Sequence, residues 1–312
     1  PPRYPMNILE TIGHTPLIFL DTLSADLPAK IHVKYEARNP GGSIKDRAAY
    51  GYISAALESS ALAPGGTVVE ATSGNLGIGL AVICAKKGLR LMLAIPASAS
   101  QERIALLRAL GAEVLLTPAE RGMQGAQDKV DELLRTLPGA FRPDQFGNPV
   151  GPQVHYETTG AEILEDCRKE GFVPAAFVAG VGSGATLMGV SRRLKEADPS
   201  IRCFAVEPEE SPVLSKGRSG AHGIQGIGAN FVPSVFDRDL VDGILTVSTE
   251  DAMKTARDLM AREAMSCGIT SGANVKAAVM LAMQPEFAGK HIVTVAPDTG
   301  ERYLSTPLFS KD

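Results

Sequence analysis

From Thr67 onward, short runs of β-branched and aliphatic residues alternate with longer stretches of helical periodicity. TVVEA (67–71), LMLAI (91–95) and EVLL (113–116) have the length and composition of buried strands, and the stretches 76–87, 101–110 and 123–137 repeat with the period of helices. A second series follows a segment rich in Gly and Pro at 147–152. It consists of AAFVAG (175–180), a helix near 186–196, CFAVE (203–207), helices near 249–263 and 272–283, and HIVTVA (291–296). Apolar strands separated by helical crossovers predict parallel sheets covered on both faces. The expected fold class is therefore α/β, with two lobes, each a mostly parallel sheet flanked by helices, joined near residue 150. IHVKYE (31–36) reads as one more strand, lying ahead of a glycine-rich segment, so the lobes exchange chain segments. Residues 38–149 are expected to form the smaller lobe, and 1–37 with 150–312 the larger.

Composition narrows the functions open to such a fold. The chain has 312 residues, enough for two lobes with substantial cores. A net charge of −4 provides no basic field for nucleic acid or an anionic membrane. No run approaches the roughly 18 apolar residues of a membrane span, and Pro1–Glu10 lacks the layout of a secretion signal. A cytoplasmic protein is expected. Cys84, Cys167, Cys203 and Cys267 stand far apart with no CxxC pair, which predicts buried free thiols in place of zinc ligands or disulfides. The histidines at 14, 32, 155, 222 and 291 are equally scattered, so no metal is expected.

Three glycine-rich turns stand between a predicted strand and a predicted helix, where free N–H groups and the helix dipole converge on ligands. Gly180-Val-Gly-Ser-Gly-Ala-Thr186 offers several amides and the hydroxyls of Ser183 and Thr186 to a phosphate. It also reads as a bare tight turn, or as a dinucleotide loop with Ala185 as its last member and Glu207 as the nearest acid. Ala71-Thr-Ser-Gly-Asn-Leu-Gly77 is either a helix cap or a cradle for a carboxylate. Asn39-Pro-Gly-Gly-Ser-Ile-Lys45-Asp-Arg47 places a lysine at the start of a helix reaching about Leu57, where the dipole disfavours an ammonium. An amine so placed is a candidate for Schiff-base formation with an aldehyde cofactor, followed by general-base work.

The motifs NPGGSIKDR (39–47), EATSGNLGIGLA (70–81), GVGSGATLMG (180–189), EPEESPVLS (207–215), GIQGIGANFVP (223–233) and ITSGAN (269–274) together resemble the cysteine synthase (O-acetylserine sulfhydrylase) family. IGHTPLIFL (12–20) and QFGNPVGPQVHYETTGAEI (145–163) are similar to further stretches of that family, and the match keeps its order along nearly the whole chain. The resemblance implies the fold-type II pyridoxal-phosphate architecture (tryptophan synthase β-like), and a homodimer. Pyridoxal 5'-phosphate would be held by Lys45 through its aldehyde, by Asn75 at its ring hydroxyl and by Gly182, Ser183, Gly184, Ala185 and Thr186 at its phosphate. Ser271, which also reads as a helix cap, would face the ring nitrogen. Thr72, Ser73, Gly74, Leu76 and Gln145 would surround the carboxylate of an amino-acid substrate, with Gly226 in a loop facing it. Met123 matches a loop residue near that site and reads equally as core. The implied reaction is ping-pong β-replacement, most simply O-acetyl-L-serine and sulfide giving L-cysteine and acetate, with the smaller lobe closing over the substrate. Serine acetyltransferase, whose C-terminal tail enters such sites, is an implied partner.

The match departs from the family at Leu76, where threonine is usual, so one hydroxyl is missing from the carboxylate loop, worth roughly 1.5–3 kcal/mol if buried against a charge. Asn230 replaces a glycine, and Gly223 stands where a basic residue is common. These differences keep open a different donor or nucleophile, with O-phosphoserine as donor, or a diaminopropionate precursor, O-ureidoserine or β-cyanoalanine as product. A serine or threonine dehydratase fits less well, because its motifs SxKxR and SxGNHxQ differ from GGSIKDR and TSGNLG.

Overall fold

The computed structural model describes residues 6–72 and 74–310. In chain order they form β1 (Leu17–Phe19), β2 (Lys30–Tyr35), α1 (Lys45–Glu58), β3 (Thr67–Ala71), α2 (Asn75–Lys87), β4 (Arg90–Pro96), α3 (Gln101–Ala109), β5 (Glu113–Thr117) and α4 (Gly122–Thr136). There follow α5 (Val150–Glu157), α6 (Thr159–Lys169), β6 (Ala176–Gly180), α7 (Ala185–Ala197), β7 (Arg202–Pro208), α8 (Val213–Lys216), β8 (Gly243–Val247), α9 (Thr249–Glu263), α10 (Ile269–Ala282) and β9 (His291–Ala296). The chain divides into two units, residues 1–13 with 39–150, and residues 14–38 with 151–312. Residues 6–13, expected with the larger lobe, belong to the first unit because Leu9 is buried in its core.

The first unit holds the parallel sheet β3-β4-β5. The alternation of a strand sends Val68, Leu91, Leu93 and Ile95 into a core with α1 and α2. Val69, Ala71, Met92 and Ala94 face Ala126, Val130 and Leu133 of α4. With both faces covered, every position tolerates an apolar side chain, which explains the unbroken run LMLAI; in TVVEA the one charged interruption is the buried Glu70.

The second unit holds a six-stranded sheet in the order β1-β2-β9-β6-β7-β8, parallel except for β1, which runs antiparallel to β2. Helix α10 lies deepest in its core: eleven residues from Ile269 to Ala282 are buried, so its surface is apolar all round. Gly272 makes this possible, since a Cβ there would run into the carbonyl oxygen of Ala252 on α9. From β2, the fully buried Lys34 pairs with Glu162 at 2.8 Å and Asp166 at 3.3 Å on α6, and its Nζ donates to the Thr15 carbonyl at 2.8 Å. Four cysteines, all reduced, are buried.

Among the described residues, no helix is long and apolar enough to cross a membrane, and no group of three or more His, Cys, Asp or Glu side chains could hold a metal ion.

Candidate active site

The residues singled out in the sequence fall into two groups, one in each unit, and each group is assembled by its own unit. In the first, α1 begins at Lys45 itself. The turn before it is held by Asp46, whose Oδ2 accepts from Gly41 N–H at 2.5 Å, and by Gly42, whose φ of 80° suits glycine. A side chain at Gly41 would collide with that carboxylate. The Lys45 amine donates to Gln145 Oε1 at 3.3 Å. Lys45 is half-buried by surface area, yet the protein crowding its amine removes enough water to lower it to about 8.

Gln145 is placed by a second set of contacts that start at Glu70 on β3. Glu70 Oε2 accepts from Asp144 N–H at 3.0 Å, and Oε1 accepts from Ala71 N–H at 3.0 Å and from Arg142 Nε at 3.3 Å. Asp144 has a φ of 53°, a conformation that costs energy for a residue with a Cβ. The buried carboxylate thus fixes a strained residue immediately ahead of Gln145. Burial raises Glu70 above the ordinary carboxylate range, opposed by the Ala71 amide, Arg142 and the Asp144 amide.

The turn after β3 leads into α2. Gly74 occupies the cap position without a side chain, so Asn75 is the first helical residue and not the cap. Gly74 N–H donates to Thr72 Oγ1 at 3.2 Å, and a Cβ added at Gly74 would sit 4.0 Å from an Arg103 guanidinium nitrogen. Ser73 lies outside the described residues. Leu76 points elsewhere: its side chain is 2% exposed and packs in the core with Ile78 and Leu80. Its side chain therefore does not line the carboxylate turn, because an apolar group at the second position of α2 gains more from the core than from a polar turn. Helix α2 also packs against α1 through Gly79, where a Cβ would lie 3.1 Å from the Lys45 carbonyl oxygen.

In the second unit, the loop after β6 runs Val181-Gly-Ser-Gly and enters α7 at Ala185. Gly184, the cap, has a φ of 86°, and Ser183 Oγ accepts from Ala185 N–H at 3.3 Å. Thr186 stands half-exposed in the first turn of α7. A side chain at Gly182 would strike the Gly226 carbonyl oxygen, and Gly228 N–H donates to the Val181 carbonyl at 3.1 Å, so the 182–186 and 226–228 loops lie against each other. Gly226 has a φ of 104°, and Thr270 Oγ1 donates to the neighbouring Gln225 carbonyl at 2.7 Å. These contacts bring the first turn of α10 to the same place. There Ser271 is fully buried and its hydroxyl has no hydrogen-bond partner among the described residues. The cap of α10 is Gly268, so Ser271 is not a capping residue. The nearby Cys267 thiol is pushed up to about 12 by burial and Asp298, with a smaller downward pull from the adjacent Ser271 hydroxyl, a sulfur contact that does not meet hydrogen-bond geometry. A buried hydroxyl without a partner is costly in a closed protein and is what a ligand acceptor atom would satisfy.

Other expectations resolve on the same loops. Both oxygens of Glu207 are taken by Leu214 N–H at 2.7 Å and Ser215 N–H at 2.9 Å, which leaves the dinucleotide reading without its ribose-binding acid. Asn230 has a φ of 66°, which asparagine tolerates best after glycine, and its Oδ1 accepts from Ser211. A Cβ at Gly223 would lie 2.7 Å from the Thr249 methyl, so no basic side chain fits. Met123 is 43% exposed at the start of α4 and is not core.

Residues 8–298 match the model of the family described as pyridoxal-phosphate dependent enzyme. The chain is 47% identical over 306 residues to a cysteine synthase of Staphylococcus aureus, covering 98% of this chain and 97% of the relative. Its structure resembles a cysteine synthase of Entamoeba histolytica with a TM-score of 0.94 at 41% identity, covering 100% of this chain and 94% of the other. It resembles an O-ureido-L-serine synthase with a TM-score of 0.92 at 41% identity, covering 98% and 96%.

Proposed function

The chain belongs to the pyridoxal-phosphate dependent enzyme family, and on that premise we propose that it replaces the β-substituent of an O-activated L-serine, converting O-acetyl-L-serine and sulfide to L-cysteine and acetate. The observation that carries this reading is the buried amine of Lys45, lowered to about 8 and aimed by Gln145. An amine near neutrality is a nucleophile toward an aldehyde and then a base and acid for one proton. The unpartnered Ser271 hydroxyl and the 182–186 loop fit a phosphorylated pyridine in the same way.

Pyridoxal phosphate, when bound, supplies the electron sink that lets a β-substituent leave an amino acid. Lys45 would hold its aldehyde carbon, Asn75 its ring hydroxyl, and Gly182, Ser183, Gly184, Ala185 and Thr186 its phosphate, through amides at the start of α7. Ser271 would meet the ring nitrogen with a neutral hydroxyl. A hydroxyl does not force that nitrogen to carry a proton as a carboxylate would, which favours loss of a β-substituent over transamination. Thr72, Ser73 and Gly74 would form the turn that meets the substrate carboxylate, with Gly74 N–H held by Thr72 Oγ1 until a ligand displaces it, and Gln145 would keep Lys45 Nζ aimed while it takes and returns the α-proton. Gly226 leaves room beside the amino acid.

The reading extends to a cytoplasmic homodimer that accepts the C-terminal tail of a serine acetyltransferase. A different donor or nucleophile is the second reading. The likeness to an O-ureido-L-serine synthase favours it.

The test is the visible spectrum of purified protein before and after separate additions of O-acetyl-L-serine, O-phospho-L-serine and L-serine. We expect a yellow protein whose band shifts with O-acetyl-L-serine, and cysteine on adding sulfide. In Lys45→Ala the shift disappears and turnover falls at least about 100-fold. A shift with O-phospho-L-serine alone would move the donor; no colour with added pyridoxal phosphate would overturn the reading.

A further inference from the structure

The two central strands of the larger sheet part company at their carboxyl ends. Strands β6 and β9 pair only over Ala176–Val178 and Ile292–Thr294. Beyond those rungs β6 continues beside β7 as far as Gly180 opposite Val206, and β9 continues beside β2 as far as Ala296 opposite Tyr35. A gap therefore opens in the middle of the sheet, and Gly180 N–H and the Val295 carbonyl face it without ladder partners. Buried backbone groups must be paired.

Asn274 of α10 fills that gap. Its side chain is 1% exposed; its Oδ1 accepts from Gly180 N–H at 2.8 Å and its Nδ2 donates to the Val295 carbonyl at 2.9 Å. One amide thus stands in for a missing rung of the sheet. Its helical position matters as much, because Asn274 lies three residues after Ser271 and residues so spaced share a face of the helix. Gly180 is also the residue from which the 182–186 loop departs.

We propose that Asn274 is a positioning residue for pyridoxal phosphate, fixing the origin of the phosphate loop relative to the helix that carries Ser271. The inference rests on the function proposed above. Asn274 does not touch the cofactor; it sets the spacing between two groups that do, across a seam where the sheet has no hydrogen bonds of its own. Asparagine suits this position because its amide carries the acceptor and the donor on two separate atoms, one for each orphaned backbone group, where a serine or threonine hydroxyl has a single oxygen for both. The neighbouring tie, Thr294 Oγ1 donating to the Val178 carbonyl at 2.6 Å, joins the same strands one step below but touches neither loop nor helix.

The experiment strips and restores the cofactor in wild type, Asn274→Ala, Asn274→Ser, Asn274→Asp and Thr294→Val. Three quantities are read: the dissociation constant for pyridoxal phosphate, the phosphorus NMR line of the bound phosphate, and the thermal midpoint of the stripped protein. Asn274→Ala and Asn274→Ser are expected to bind the cofactor about tenfold more weakly or worse, with a displaced or broadened phosphorus line. Asn274→Asp keeps the acceptor for Gly180 and should recover part of that affinity. Thr294→Val should lower the midpoint and leave affinity and line in place. Serine at 274 reads the same loss should the alanine variant not fold. The proposal falls if the alanine and serine variants keep wild-type affinity and line with only a lower midpoint, or if Thr294→Val weakens binding as much as they do. Wild-type protein that takes up no pyridoxal phosphate sinks the function itself, an outcome distinct from variants that match a cofactor-binding wild type.

Discussion

Each of the two units arranges the candidate residues it carries by different physical means. In the first unit the critical side chain is an amine lowered by burial, and the turns that place it and its neutral partner Gln145 are held by carboxylates. Glu70 is buried with its carboxylate committed to Arg142 and to the amides of Ala71 and Asp144, and Asp46 closes the glycine turn ahead of Lys45. In the second unit the loop and Ser271 are placed by neutral groups: the amide of Asn274, the hydroxyl of Thr270 and close backbone contacts at Gly182 and Gly272. The difference fits the tasks proposed for the two groups. A proton-handling group must be tuned, and desolvation tunes the Lys45 amine. A phosphate cradle needs free N–H groups at fixed spacing, which rigid packing supplies and a carboxylate would spoil.

Glycine substitutions on helices from each unit should separate these two strategies most sharply. Gly272 faces a backbone carbonyl on α9 that cannot move alone, so Gly272→Ala must push apart the two most heavily packed helices of the second unit. We expect it to lose about 3 kcal/mol or more in denaturant unfolding. Gly79 in the first unit meets Lys45 backbone and the Ala49 methyl at 3.1–3.2 Å, a crowding that helices relieve by shifting slightly. Gly79→Ala should cost about 1 kcal/mol, and its larger effect should be on turnover, since the backbone it displaces is that of Lys45. Equal stability losses in the two variants would remove the contrast.

The sequence made some of this legible and hid the rest for identifiable reasons. Strands β3, β4, β6, β7 and β9 were readable because burial on both faces leaves a continuous apolar run. Strand β8 was not: it lies at the sheet edge and is mostly half-buried, so GILTV carries no such signature in its context. Strand β1 has three residues, too few for any period to show. Helices α5 and α6 sit where the family motif QFGNPVGPQVHYETTGAEI drew the reading toward function and away from periodicity. Lys45, Asn75 and the 182–186 loop stand out in the sequence because each belongs to a glycine-rich turn, and their roles are those of the proposal. Leu76 runs against its motif: its place in a polar turn points to the ligand, and the helical turn sends its side chain into the core. Glu70 and Asn274 gave no signal of their own. Both stand inside recognised motifs, but their roles depend on partners far away, Asp144 and Val295, which only the fold brings near.

The role of Glu70 is testable by removing its charge while keeping its shape. Its folded pKa is raised, so the proton is bound more tightly in the folded protein than in the unfolded chain. The stability it contributes is present below the ordinary carboxylate range and is lost as pH rises through the folded value. Glu70→Gln should therefore flatten the decline that runs from the ordinary carboxylate value up to the folded one. At neutral pH relief of desolvation offsets the weakened contacts, leaving a net change within about 1 kcal/mol. Turnover should fall further than stability, because the Asp144 turn that sets Gln145 against Lys45 loses its carboxylate. A rate that tracks stability alone would make Glu70 an ordinary core residue.

The second unit carries the opposite titration, at the far end of its sheet. His32 Nε2 lies 2.8 Å from His291 Nδ1, both rings stack on Phe172, and His32 is held down to about 4 by burial first, then by His291 and Lys30. A histidine with a depressed folded pKa contributes stability that is complete above its unfolded value of about 6.5 and is lost as pH falls toward about 4. The loss should be on the order of 2 kcal/mol, less than the full shift implies because part of the ring pair is wet. His32→Phe keeps the stack and removes the titration, so its stability should change less over that pH range than the wild type's. Hydrogen exchange resolves the units separately: acid should loosen β2 and β9 in the wild type and not in His32→Phe, while rising pH through the Glu70 value acts on β3 and the 142–145 segment. The two substitutions flatten opposite limbs of the pH profile if each unit titrates by its own buried group. The same limb flattened by both would mean that the units do not differ in the way their charges are placed.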